Sequence, residues 1–213
     1  MNIVAFGCSF TVGEGLDDVF PQFNKISKFA WPQQLADLAN CTVTNLGVCG
    51  ASCKEILHML LNHKFNKGDI VVVCWSFIDR WCIIKDDDEI YQFGIWNTEK
   101  GRLLSGWSEQ TLQGGLSKIA TAFYEHIHDD EDRIQEMLRD IEFARLYLDS
   151  KGIKNYHMSV GKDAIIEKNW FKTKILDIDW QSQDKAPDKV HPGIQTHKIV
   201  AQKIFELTQG FQL

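Results

Sequence analysis

The chain has 213 residues, 44% of them hydrophobic, enough to bury one substantial core, and it reads as a single domain over 1–213. Its 23 basic residues against 29 acidic ones leave a net charge of −6, which argues against nucleic acid or an anionic membrane as an obligatory partner and in favour of a small molecule or a glycan. No apolar run approaches the roughly twenty residues needed to cross a bilayer, and internal repeats and low-complexity stretches are missing from the sequence.

Asn2 to Phe6 is a short apolar run bounded by Gly7 and predicts a strand covered on both faces. Gly7, Gly13 and Gly15 then allow a tight reversal with Cys8, Ser9 and Thr11 at its tip. A polar and aromatic loop, Asp17 to Phe29, leads to helical spacing over Trp31 to Ala39, and Thr42 to Leu46 reads as a second strand. Ser52 to Asn62 predicts a helix with Ser52 as its cap, and the Lys67-Gly68-Asp69 turn opens the strongest strand, Ile70 to Cys74. Two further helices are expected over Leu112 to His128 and Glu131 to Asp149, then a fourth strand, Asn155 to Met158. The stretch from Gly161 to Pro187 has weak periodicity, and a last helix spans Ile194 to Leu207. This alternation is that of parallel crossover units and predicts a doubly wound α/β sheet.

One segment stands outside the alternation. Residues 83–107 hold Tyr91 to Asn97 and Arg102 to Leu104 around a Thr98-Glu99-Lys100-Gly101 turn, which predicts a β-hairpin inserted after the third strand. It is expected to act as a lid or substrate wall, with Trp96 and Trp107 as aromatic platforms for a sugar or acyl group; an interface or a cover for core is the plainer reading.

The chemistry lies at the two ends of the chain. Ser9 falls at the carboxyl end of the first strand, where open α/β sheets place ligands and nucleophiles. Near the other end, Asp188-Lys189-Val190-His191-Pro192-Gly193 precedes the last helix, with Pro192 suited to a first helical turn. A carboxylate three residues before a histidine in such a turn can reach its Nδ1, leaving Nε2 free to take a serine proton. The order is serine, aspartate, histidine.

These residues resemble the SGNH hydrolases, also called the GDSL esterase and lipase family, in a compact form like those encoded by bacteria and phages. Gly7-Cys8-Ser9-Phe10-Thr11-Val12-Gly13 is similar to the family's GDSxxxG, with Cys8 at the usual aspartate position, and the resemblance makes Ser9 the nucleophile. Asn45-Leu46-Gly47-Val48-Cys49-Gly50-Ala51-Ser52 is similar to the second block, N-x-G-x-x-G-x-[ST], and implies that the N–H of Gly50 joins that of Ser9 in an oxyanion hole. Asp188-x-x-His191-Pro192 is similar to DxxHP and completes a triad. The third block, GxND in the family, is replaced by Val73-Cys74-Trp75-Ser76-Phe77-Ile78-Asp79-Arg80, with no asparagine. Ser76 is the positional match and supplies one hydroxyl donor in place of an amide. Arg80 is read as compensating for the lost amide or binding an anionic group on the substrate; the plainer reading pairs it with Asp79.

The resemblance implies a three-layer α/β/α sandwich with a flavodoxin-like parallel sheet. It also implies a serine esterase that hydrolyses a short acyl ester, with O-acetyl on a glycan the preferred substrate, and needs no metal or organic cofactor. The alternatives are a catalytically silent binding or structural protein on the same scaffold and, last, a flavodoxin-like nucleotide binder. Six cysteines and no basic, apolar signal segment ahead of the first strand lead us to expect a cytoplasmic protein with free thiols. His126, His128, Asp129 and Asp130 are not read as a metal site, because neighbours on a helix face different directions. His58, His63, His157 and His197 have no carboxylate at triad spacing and are expected to be surface or satisfied core residues.

Overall fold

The computed structural model describes residues 1–23, 25–85, 89–98, 101–106, 116–161, 173–180 and 183–211. Five parallel strands form the main sheet: β1 (Asn2–Gly7), β2 (Thr42–Gly47), β3 (Asp69–Trp75), and, beyond an insertion that holds β4 (Trp81–Ile84), β5 (Ile90–Thr98) and β6 (Gly101–Gly106), β7 (Lys154–Ser159) and β8 (Ile175–Leu176). Their order is β2-β1-β3-β7-β8, so the first strand lies inside the sheet between β2 and β3 and the chain winds outward from it in both directions, as in flavodoxin-like sheets. Ala5 of β1 lies opposite Asn45 on one side and Val72 on the other.

Every residue of β3 is buried, as expected of an uninterrupted Ile-Val-Val-Val-Cys-Trp run between two helical layers. Alternate side chains of the strands enter two separate cores. On one face Val4, Phe6, Val71 and Val73 meet Ile56 and Leu60 of α3 (Cys53–Asn62) and Ile141 and Leu148 of α5 (Asp130–Ser150). On the other, Ile3, Ala5, Ile70 and Val72 meet Trp31 and Leu35 of α2 (Trp31–Leu38) and Val200 and Ile204 of α6 (Ile194–Leu207). Each large apolar side chain sealed in this way contributes about 1.5–3 kcal/mol. The result is the three-layer α/β/α sandwich.

The insertion is a three-stranded antiparallel sheet where a two-stranded hairpin is expected. Strand β4 (Trp81–Ile84) pairs with β5 (Ile90–Thr98), which pairs in turn with β6 (Gly101–Gly106), Thr98 facing Gly101 at the turn. The extra strand is the segment just after Arg80, whose Trp-Cys-Ile-Ile run is too short to be told from a loop by periodicity. Tyr91, Phe93 and Trp81 pack with Ala120 and Tyr124 of helix α4 (Leu116–His126), and Trp81 stacks on Phe123 at 4.3 Å between centroids. These aromatics therefore build a small core of their own. Residues 112–115 of the helix expected over Leu112 to His128 lie outside the described residues.

Two local expectations need correction. Pro192 lies outside the first helical turn: α6 begins at Ile194 with Gly193 as its cap, and Pro192 instead bridges to Lys185. The reason is non-local, because the Asp184 carboxylate accepts from the N–H groups of Gln195 and Thr196 and satisfies the first turn from outside the helix. The weakly periodic stretch after Gly161 contributes the short edge strand β8, paired with His157 and Met158 of β7.

Candidate active site

The loops at the carboxyl ends of β1, β2 and β3 are locked together by glycines. After Gly7 the chain enters one helical turn, α1 (Ser9–Val12), closed by Gly13 in the left-handed region at φ 77°. A Cβ on Gly7 would sit 2.9 Å from the Cys74 carbonyl oxygen, and one on Gly47 would sit 2.8 Å from the Val12 nitrogen, so both positions exclude larger residues. Asn45 fastens the same contact: its amide donates to the Thr11 carbonyl at 2.7 Å, and its own oxygen accepts from the Gly47 N–H. Ser9 heads α1. It is 3% exposed, and its Oγ has no hydrogen-bond partner, so the hydroxyl is committed to no other group.

Asp188 and His191 form the pair expected from their spacing. His191 Nδ1 lies 2.6 Å from Asp188 Oδ2, while Asp188 Oδ1 accepts from the N–H groups of Val190 and His191 at 2.9 and 3.0 Å. Burial alone would push this carboxyl up; the hydrogen bonds from the His191 ring and the two backbone N–H groups outweigh it and hold Asp188 below the ordinary carboxylate value. An ionised carboxylate on Nδ1 fixes that nitrogen as the donor and leaves Nε2 as a lone-pair acceptor.

Two contacts bring this turn against the serine loop. The ring of Phe10, the residue after Ser9, meets the His191 imidazole edge-on at 6.0 Å between centroids, and Gly15 packs directly on the Asp188 carboxylate. Ser9 and His191 are not hydrogen-bonded to each other; the two segments meet through Phe10 and Gly15. Phe10 also meets Phe77 at 5.8 Å and Trp180 at 5.1 Å between ring centroids, which makes it the centre of an aromatic cluster joining the loop after β3, the segment of Trp180 and the Asp188–His191 turn.

The second and third blocks meet in a buried polar group. Gly50 is buried at φ 79°, a conformation that favours glycine, and Ser52 caps α3 through a reciprocal box in which its Oγ accepts from the Glu55 N–H and its N–H donates to the Glu55 carboxylate. Ser76 is fully buried, and its Oγ accepts from Arg80 Nη1 at 3.2 Å. Arg80 is itself only 5% exposed, with its guanidinium 5.0 Å above the Phe77 ring. Glu55 faces it, 3% exposed, and Gln92 Nε2 of β5 donates to both Glu55 oxygens at 2.9 Å. Burial raises the Glu55 carboxyl above its ordinary value, against the hydrogen bonds of Gln92 and Ser52 and the nearby Arg80 charge. The insertion is thereby tied to the start of α3, beside the second block.

The structure thus gathers Ser9, Asp188, His191, Ser76 and Arg80 around neighbouring loops. Trp96 pairs with Leu103 across the β5–β6 ladder, and Trp107 lies outside the described residues. Sequence reasoning missed Trp180, which sits in the weakly periodic stretch and packs on Phe10, and Gln92, whose only signal is a polar side chain between Tyr91 and Phe93. Among the described residues no group of three His, Cys, Asp or Glu side chains is placed to hold a metal ion, and no disulfide joins any of the six cysteines. No helix among them is long and apolar enough to cross a membrane.

The sheet order and the loop cluster at its carboxyl edge define a flavodoxin-like α/β/α hydrolase architecture with its candidate site at that edge. Solved structures bear this out. A protein from Desulfitobacterium hafniense assigned to the lipolytic G-D-S-L family aligns over 97% of this chain and 98% of its own, with a TM-score of 0.53 and 12% identity. A carbohydrate esterase family 2 enzyme with a carbohydrate-binding domain, from Corynascus thermopiles (Myceliophthora fergusii), aligns over 99% of this chain and 66% of its own, with a TM-score of 0.59 and 12% identity. An acetyl xylan esterase from Butyrivibrio proteoclasticus gives a TM-score of 0.53 at 10% identity over 99% of this chain and 64% of its own. At these identities the likeness shows the SGNH-hydrolase fold. No family model matches the sequence, and no curated protein is significantly similar to it.

Proposed function

We propose that this protein is a serine esterase that transfers an acyl group to water through Ser9, His191 and Asp188. The observation that carries the reading is the 2.6 Å bond from His191 Nδ1 to Asp188, in a turn packed against the loop that holds a buried, uncommitted Ser9 hydroxyl. His191 Nε2 takes the Ser9 proton as Oγ attacks the ester carbonyl, and the N–H groups of Ser9 and Gly50 with the Ser76 hydroxyl hold the oxyanion. His191 then returns the proton to the leaving alcohol. Water, deprotonated by the same nitrogen, releases the acid and restores Ser9. Neither a metal nor an organic cofactor enters these steps.

The substrate class we assign is a short acyl ester, with O-acetyl groups on a glycan first. Support comes from the structures of similar fold that are described as a carbohydrate esterase and an acetyl xylan esterase. Trp96 and Trp107, on and just after the inserted sheet, are the side chains we assign to contact with the sugar. The test is intact mass after exposure to a fluorophosphonate probe, on the wild type and on Ser9→Ala and His191→Ala. Labelling of the wild type alone supports the reading and directs a screen to acetyl esters. Labelling of Ser9→Ala, or a folded wild type that never labels, overturns it.

A further inference from the structure

The missing amide of the third block has a physical replacement. An asparagine side chain donates through an N–H₂ whose direction is fixed by a planar group, whereas a serine hydroxyl rotates and donates wherever it finds an acceptor. Ser76 does not have that freedom. Arginine offers only donors, so in the 3.2 Å bond from Arg80 Nη1 the Ser76 oxygen is the acceptor, and its single proton must point away from the guanidinium. A hydroxyl that accepts from a cation is also polarised into a better donor.

The surroundings hold this arrangement in place. The Ser76 carbonyl accepts from the Cys53 thiol at 3.6 Å, and the Trp75 carbonyl accepts from the Val160 N–H, so the backbone on both sides of the hydroxyl is pinned. The guanidinium lies over the Phe77 ring with the Glu55 and Asp79 carboxylates near enough to feel its charge, and Gln92 donates to both Glu55 oxygens. A buried arginine so confined delivers its Nη1–H to one place.

We propose that Arg80 is a positioning residue for the oxyanion hole: by donating to Ser76 Oγ it fixes the Ser76 O–H as a donor to the oxyanion formed at Ser9. This inference rests on the serine-esterase reading. Its competitor is a purely structural arginine that neutralises Glu55.

The two are separated by removing both buried charges together. Arg80→Met with Glu55→Gln removes the buried cation together with the Glu55 carboxylate but leaves Asp79, whose carboxyl burial already raises, without the Arg80 charge, so the doubly substituted protein is expected to fold with a somewhat lowered thermal midpoint. Measured on an acetyl ester, its kcat is expected to fall at least tenfold with KM within about twofold. Ser76→Ala is expected to cost about a hundredfold in kcat in the wild type and less than threefold in that double background, because the two changes remove one device. Ser76→Asn in the double background should recover kcat, since an amide needs no guanidinium to aim it. Full kcat in the Arg80→Met/Glu55→Gln protein, or losses that multiply independently with Ser76→Ala, overturns the proposal. Should the double variant not fold, Ser76→Ala alone decides, and an unchanged kcat sinks the idea. Fluorophosphonate labelling of Ser9 keeps the two levels apart: an unlabelled wild type overturns the esterase reading, whereas a labelled wild type with a fully active Ser76→Ala overturns the role of Arg80 only.

Discussion

Gly15 lies flat against the carboxylate of Asp188, so closely that a Cβ at residue 15 would overlap the Asp188 carboxyl group, and the glycine holds φ at 81°. A contact between residue 15 and residue 188 is how this fold brings its two chemical ends to one place. Gly15→Ala adds one methyl group and a strained backbone, at about 1–3 kcal/mol, and pushes Asp188 away from His191. We expect kcat on an acetyl ester to fall about a hundredfold, as for a misplacement of roughly 1 Å, while the circular dichroism spectrum stays native. A lowered melting temperature with unchanged kcat would show that the packing does not set the position of the carboxylate.

Asp188→Asn tests the carboxylate itself. The amide can keep its oxygen on the Val190 and His191 N–H groups, but it then presents N–H₂ to His191 Nδ1 and forces the proton onto Nε2. An imidazole in that tautomer cannot take the Ser9 proton. Turnover is expected to fall about 10⁴-fold. Because the native Asp188 carboxyl is held below 3.8, its contribution to stability is present above that value and is lost as the pH falls through the lower native one. Urea unfolding should therefore show the variant weaker at pH 7, with the gap closing in acid.

The parts of the fold that were legible in the sequence are those specified by neighbours in the chain. The unbroken apolar run of β3 reads as a strand covered on both faces; Ser52 with Glu55 three residues on reads as a helix start; Asp188 and His191 read as a pair because a turn brings residues three apart together. What stayed hidden depends on partners far along the chain. Asp184 caps α6 from eleven and twelve residues away and displaces Pro192 from the helix. Trp180 joins the site only by packing on Phe10, and Arg80, read from the sequence as a partner for Asp79, is also a buried donor to Ser76 that lies over the Phe77 ring. No periodicity encodes those contacts.

Gln92→Ala should loosen the inserted sheet from the sandwich. The side chain makes two hydrogen bonds to a buried carboxylate, and their loss leaves Glu55 with less to oppose its burial, raising its carboxyl further. Removing a partner from a buried charged group costs about 1–3 kcal/mol at neutral pH. Amide hydrogen exchange is the sharper measurement: faster exchange confined to β4 and β5, with β1 and β3 still protected, is the expected pattern. Uniform protection in the variant would mean that the aromatic core with α4 alone anchors the insertion.

Acid sensitivity should be traceable to two buried histidines. His157 accepts from Trp75 Nε1–H on one nitrogen and faces Asn155 Oδ1 with the other, and His197 Nδ1 accepts from the Trp31 N–H. Burial lowers both rings from 6.5 to about 4. The unfolded chain therefore binds protons that the native state refuses; each contribution is complete above 6.5 and is lost as the pH falls through about 4, at up to about 3 kcal/mol per ring. Asp140 acts in the opposite sense: burial and the Glu136 charge raise it to about 6, so its share of stability is present below 3.8 and is lost as the pH rises through 6. In urea titrations between pH 7 and 4, His157→Gln should lose less stability than the wild type by up to that amount, and Asp140→Asn should lose more. Parallel curves for the three proteins would mean that neither buried group sets the acid response.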